Sequence, residues 1–362
     1  MLDDDNVLKQ RDPRGALGVA ALQYEQARFA VEIAHPEHDG RTIMRVVVAG
    51  MGGSALAPFI AKVGLGDELM IPFEVIRSYD LPEYVDFNTL VIACSHSGNT
   101  EETLSTFAQA RAKNAQVAAV ATGGKLLEQA AAESIAHVQV PAGLEARMST
   151  IYHLRALTAL LAHFDVINYM RFTQIADQAD WLGEQTKHWT SDVTVDKNYA
   201  KQLALLAVGK TPVFYGGPLM APLAYKWKIS WNENAKNVAF WNQYPEFNHN
   251  EFIGWSSHPV EKPFVIFDLI SKFEHPRVLK RFELSDRLLS GLRPKANVVT
   301  LQGDRPIAQY LWGCILADFV SIYVAILNGV DPTPVLLVEK LKEELAKDPV
   351  QPSPAPPHPS IG

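Results

Sequence analysis

Apolar residues fall along this chain in short unbroken runs separated by stretches of mixed polarity. That is the pattern of strands buried on both faces alternating with helices. Val46, Val47 and Val48 form the first run; it breaks into Gly50-Met-Gly-Gly-Ser54, and 55–62 then reads as a helix. Further strands are predicted at 72–77, 89–94, 116–121 and 136–140, with helices at 101–113 and 125–133 between them. Ahead of the first strand, 15–34 reads as a helix packed against the sheet. Residues 142–192 are helical and connecting, with helical stretches at 152–163 and 172–189.

Past this connector the pattern repeats. A short strand within 210–220 enters a double glycine, 221–231 reads as a helix, and strands follow at 237–241, 264–268 and 297–301. A pair of helices, 306–329 and 334–347, closes the pattern. Strands alternating with helices at this interval specify an α/β fold, two three-layer αβα domains in pseudo-repeat, each with a parallel sheet. The expected division is an N-terminal helical segment at 1–40, a first domain at 41–150, a connector at 151–195, a second domain at 196–330 and a C-terminal helix at 331–348. Residues 349–362, with a proline at nearly every second position, read as an extended tail with no assigned function.

Composition narrows the function. A chain of 362 residues suits two domains, and 48% apolar with 20% charged residues is ordinary for a globular protein. The net charge of -7 disfavours nucleic acid as partner, so any phosphate bound is expected to be small. Cys94 and Cys314 both lie in apolar runs, which fits buried reduced thiols. No apolar stretch is expected to reach membrane-spanning length, and the N-terminus is acidic where a secretory signal would be basic. A cytoplasmic location is the expectation.

Candidate chemistry lies at the strand ends. A strand, a glycine turn and a helix start offer free backbone N–H groups that suit phosphate, although an ordinary βα turn has the same pattern. The glycines at 50, 52 and 53 match neither the dinucleotide fingerprint nor a Walker loop. After the third strand comes Ser95-His-Ser-Gly-Asn-Thr100, with three hydroxyls around a glycine, which converge on phosphate oxygens or else only cap the next helix. The second half adds Asn232-Glu-Asn-Ala-Lys236 and Glu246-Phe-Asn-His-Asn-Glu251. A Glu and a His among amides suit proton abstraction beside a carbonyl; a surface carboxylate and a loop-satisfying histidine are the plain alternatives.

Taken together, Gly-Met-Gly-Gly-Ser (50–54), Ser-His-Ser-Gly-Asn-Thr-Glu-Glu-Thr (95–103), Asn-Glu-Asn-Ala-Lys (232–236) and Phe-Asn-His-Asn-Glu-Phe (247–252) resemble the motifs of the sugar isomerase (SIS-domain) superfamily. Their order and spacing over 15–347 resemble its bifunctional phosphoglucose/phosphomannose isomerases. The resemblance implies a homodimer that interconverts glucose 6-phosphate and mannose 6-phosphate with fructose 6-phosphate through a cis-enediolate, without metal or organic cofactor. It places Gly53, Ser54, Ser95, Ser97 and Thr100 at the phosphate, Glu233 as catalytic base and His249, reaching in from the partner subunit, at ring opening. Thr333 and Lys340 join the site from the last segment. Arg147 matches the family's active-site arginine in an altered context, with Arg155 as its competitor. Open alternatives are another sugar-phosphate isomerase of the superfamily, a non-catalytic sugar-phosphate regulator, and a nucleotide-binding oxidoreductase, which the missing fingerprint disfavours.

Overall fold

The computed structural model describes residues 1–257 and 261–347. The predicted tail at 349–362 lies outside the described residues. In the first half, β1 (Arg45–Ala49), β2 (Phe73–Ile76), β3 (Thr89–Cys94), β4 (Gln116–Ala121) and β5 (Ala136–Gln139) form a parallel sheet of order β2-β1-β3-β4-β5. In the second, β6 (Thr211–Gly216), β7 (Phe240–Gln243), β8 (Phe264–Ile270) and β9 (Ala296–Thr300) form a parallel sheet of order β7-β6-β8-β9. The central strand β3 is buried at every residue, which explains its unbroken apolar run. In both sheets the chain crosses over from the strand after the glycine turn, so the turns and the β3 and β8 loops lie at the carboxyl ends of their strands, where open α/β sheets hold ligands.

One apolar core joins the two halves. Val46 and Val48 of β1 belong to the same buried cluster as Phe214 of β6 and Phe267 of β8. The helix Pro306–Asn328 runs through it with almost every residue buried. This corrects the expectation that no apolar stretch reaches membrane-spanning length, because the helix has 23 residues and mean hydropathy 1.9. Its apolar surround is the protein core, with 94% of its most apolar window buried. Gly313 lets it approach the helix Ala221–Asn234, for a Cβ there would stand 2.4 Å from Leu223 Cδ2. Cys94 and Cys314 are free and buried, and burial pushes both thiols up to about 12.

Four further expectations change. The helix expected over 15–34 is only Ala16–Ala21, followed by a 3₁₀ segment, Gln23–Arg28. There the amides of Gln23 and Gln26 turn inward, donating to Asp318 Oδ2 at 2.9 Å and to the Met148 carbonyl at 2.7 Å. The strand expected at 237–241 begins later, at Phe240, because Lys236 adopts φ +52° and Asn232 Nδ2 holds the Asn237 carbonyl at 2.8 Å. The helices Tyr199–Ala207 and Pro276–Leu288 were not expected, and Asp5–Arg11 stands in the N-terminal helical segment ahead of the helix placed at 15–34. The stretch 172–189 is two helices, Met170–Ala176 and Ala179–Thr186.

Candidate active site

Glu233 and Asn234 end the helix Ala221–Asn234, which starts at the second glycine turn. Arg147 comes from a short turn, Ala146–Met148, after the first sheet, and its side chain is 1% exposed. Its Nη1 lies 3.2 Å from Glu233 Oε2 and 3.5 Å from Glu145 Oε2. The rest of the guanidinium is clamped: Nε donates to Asn234 Oδ1, and Nη2 donates to the carbonyls of Pro332 at 2.9 Å and Thr333 at 2.7 Å. Every arm of the fork is held, so the cation is fixed before any ligand arrives. Arg155, the competitor, is elsewhere: it donates to the Phe29 and Phe172 carbonyls and stacks 3.5 Å over the Phe172 ring.

The glycine turn adjoins this arginine. A Cβ on Gly53 would stand 3.2 Å from the Ala146 carbonyl carbon and the Arg147 nitrogen, so only glycine lets the turns touch without displacement. Ser54 Oγ accepts from the His96 N–H at 2.9 Å and ties the glycine turn to the hydroxyl loop. In that loop Gly98 has φ +67° and its backbone passes so near Gly123 that a side chain has no room. Ser95 Oγ bonds Thr100 Oγ1 at 2.8 Å and accepts from Gly98 N–H at 3.1 Å. Ser54 and Ser95 are thus buried and brace the loops, whereas Ser97 is exposed and Thr100 partly so. His96 is spent on the loop's own support, between the Leu144 carbonyl at 2.7 Å and His153 Nε2 at 3.2 Å.

Beneath the pair lies a buried network that motif reading missed. Lys226 Nζ donates to the Arg147 carbonyl at 2.6 Å and to both oxygens of Asp318, at 2.8 and 2.9 Å, and neither side chain is exposed. Ser230 Oγ and Gln23 Nε2 complete the Asp318 carboxylate at 2.7 and 2.9 Å, and Asn234 Nδ2 donates to Ser321 Oγ at 2.9 Å. Lys226, Ser230 and Asn234 recur every four residues on one face of their helix and meet Asp318 and Ser321 on the other, so the polar inlay is fully paired. Lys236 adds a further tie: its Nζ donates to the carbonyls of Glu233 at 2.7 Å and Pro332 at 2.8 Å. Burial, reinforced by the Arg147 charge, pushes its pKa down to about 8.

Two expected site residues are not brought to Glu233 within the chain. His249 is exposed at the end of the 3₁₀ turn Glu246–His249, beside the edge strand β7. The aromatics around it do not face a partner as a group: Phe247 and Trp255 are buried in the chain's own cluster with Tyr215 and Tyr244, while Ile253 is 71% exposed. Lys340 is exposed on the helix Leu336–Leu345, which has no buried residue. Thr333 meets the site through its backbone carbonyl.

Paired parallel sheets, a braced hydroxyl loop and a carboxylate held against a fixed arginine define a sugar isomerase domain pair. The fold agrees: a solved glucose-6-phosphate isomerase like protein from Thermus thermophilus superposes with TM-score 0.64 at 17% identity, covering 94% of this chain and 98% of that one. Residues 196–345 match the family described as bacterial phospho-glucose isomerase C-terminal SIS domain. A bifunctional phosphoglucose/phosphomannose isomerase of Caldicellulosiruptor bescii is 36% identical over 84% of this chain and 90% of its own, and one of Aquifex aeolicus is 33% identical over 83% and 90%. The chain belongs to the bifunctional phosphoglucose/phosphomannose isomerases, and it is an isomerase.

Proposed function

We propose that the chain interconverts glucose 6-phosphate and mannose 6-phosphate with fructose 6-phosphate, with Glu233 moving a proton between carbons 1 and 2. The observation that carries this reading is the Glu233–Arg147 contact at 3.2 Å, set beside the glycine turn through Gly53. The 6-phosphate sits on the hydroxyl loop, with Ser97 and Thr100 outward and Ser54 and Ser95 bracing them. Ring opening moves a proton from the carbon 1 hydroxyl to the ring oxygen and falls to His249 and Lys340. Glu233 then takes the carbon-bound proton. The resulting cis-enediolate is anionic, and the prearranged Arg147 stabilises it, worth about 3–4 kcal/mol for a well-placed donor of this kind. Returning the proton to either face of carbon 2 accounts for both epimers, and the small Thr333 leaves room for the bound chain to rotate.

Because His249 and Lys340 stand apart from Glu233, the reading includes a homodimer in which His249 completes the partner's site. The exposed Ile253, Leu337 and Leu341 supply apolar surface that such an assembly would cover. A cytoplasmic location and independence of metal and organic cofactor belong to the same proposal; free buried cysteines fit a reducing compartment. The test is a coupled assay of the purified chain on each 6-phosphate, with and without chelator. Both epimers should be converted at unchanged rates in chelator; conversion of neither, or of one alone, would contradict the reading.

Ser97→Ala and Thr100→Ala should chiefly raise KM for the 6-phosphates, each by about tenfold if one hydrogen bond to a charged group is lost. In a binding titration, equal weakening of phosphorylated and unphosphorylated ligands would show that the loop is only a helix cap.

A further inference from the structure

The two sheets share one connectivity, β2-β1-β3-β4 and β7-β6-β8-β9, so β6 corresponds to β1 and β8 to β3. The correspondence extends to single atoms. A Cβ on Gly50 would stand 3.2 Å from the carbonyl oxygen of Ser54, and one on Gly216 2.7 Å from that of Met220, in each case four residues on. Both β3 and β8 are followed by a serine whose Oγ accepts a loop N–H at 3.1 Å, Ser95 from Gly98 and Ser271 from Phe273. The second half therefore repeats the frame of the phosphate site, with Ser271 to His275 standing where the hydroxyl loop stands.

That repeated frame is already filled. Glu274, on the β8 loop, is 5% exposed, and its Oε1 accepts from the Met220 N–H at 3.0 Å, where the 14-residue helix Ala221–Asn234 begins. A Cβ on Gly217 would lie 2.3 to 2.6 Å from its carboxylate carbon and both oxygens, so the glycine makes room for an anion. Among the described residues no Lys, Arg or His forms an ion pair with it. A buried carboxylate held by a backbone N–H at a glycine turn and helix start stands where an anion binds, against the upward push that burial gives its pKa.

We propose that Glu274 is a built-in anion occupying the second half's counterpart of the phosphate site, leaving each chain one open phosphate site and anchoring the helix that presents Glu233. Removing the carboxylate then opens a site for a small free anion. Glu233 lies twelve residues along this helix, roughly 18 Å away at 1.5 Å per residue, so a ligand at the opened turn stays clear of the substrate.

The experiment holds the active site saturated with fructose 6-phosphate and titrates inorganic phosphate from about 1 to about 100 mM while Tm is read, against sodium chloride at equal ionic strength. Wild type should show no phosphate-specific rise. Glu274→Ala should start lower and rise by several degrees, with formate acting in the same direction. Glu274→Gln keeps an oxygen on the Met220 N–H and should stay as unresponsive as wild type. A Glu274→Ala chain that responds no more than wild type overturns the proposal. So does a Glu274→Gln chain that responds as Ala does, or a Glu274→Ala chain that fails to fold even in phosphate or formate. The readout is anion binding, so its failure is separate from any failure of the proposed isomerisation.

Discussion

Glu233→Gln is expected to lower turnover with either aldose phosphate by at least about 10²- to 10⁴-fold, the usual contribution of a positioned general base. The substitution keeps the shape of the side chain, and the amide oxygen can still accept from Arg147 Nη1, which now lies 3.2 Å from Glu233 Oε2. What it loses is the ability to take a proton. Arg147 stays in place because Asn234, Pro332 and Thr333 hold its other nitrogens, and the hydroxyl loop is braced through Ser54 and Ser95 from the first half. Binding of fructose 6-phosphate by Glu233→Gln, measured by titration, should therefore stay within a few-fold of wild type. Retention of more than a tenth of wild-type turnover would remove Glu233 from the role.

Mixing two inactive variants should restore activity. His249 is exposed and stands apart from the Glu233 of its own chain, so the proposed site takes its histidine from a partner across a two-fold axis. Glu233→Gln and His249→Ala are each inactive alone under this arrangement. When the two chains are unfolded together and reassociate at random, half of the dimers are mixed, and each mixed dimer holds one doubly lesioned site and one intact site. Roughly a quarter of wild-type sites should return in an isologous dimer. A mixture as inactive as its parents, with mixed dimers shown to form, would mean that both residues come from one chain.

The strands were legible because burial on both faces leaves no polar alternation: after one polar residue each, Thr89 and Gln116, β3 and β4 are apolar to their last residue. The helix Pro276–Leu288 was not, since only Val278, Phe282 and Ser285 are buried and the charges between them hide the four- and three-residue spacing. The site divides in the same way. Its motif residues stand in polar loops and helix ends, where short polar side chains announce themselves. Lys226 and Asp318 are buried in apolar helices, and their signal was indirect: Asp318 is the only charged residue between Pro306 and Asn328, and such a charge requires a partner. Nothing in the spacing distinguishes Arg147 from Arg155; tertiary packing places one on Glu233 and the other over Phe172. Nor does sequence distance reveal that Glu274 fills the second glycine turn, because the turn and the carboxylate are 54 residues apart.

The central claim is that a proton leaves and returns through Glu233, and hydrogen exchange with solvent tests it most directly. Fructose 6-phosphate is incubated with the protein in deuterium oxide, and the glucose and mannose 6-phosphates formed are examined by proton NMR at carbon 2. An enediolate route through a carboxylate that exchanges with solvent predicts deuterium at carbon 2 of both epimers, and no incorporation with Glu233→Gln. Deuterium entering carbon 2 at the wild-type rate with Glu233→Gln would show that another group takes the proton and would contradict the role assigned to Glu233.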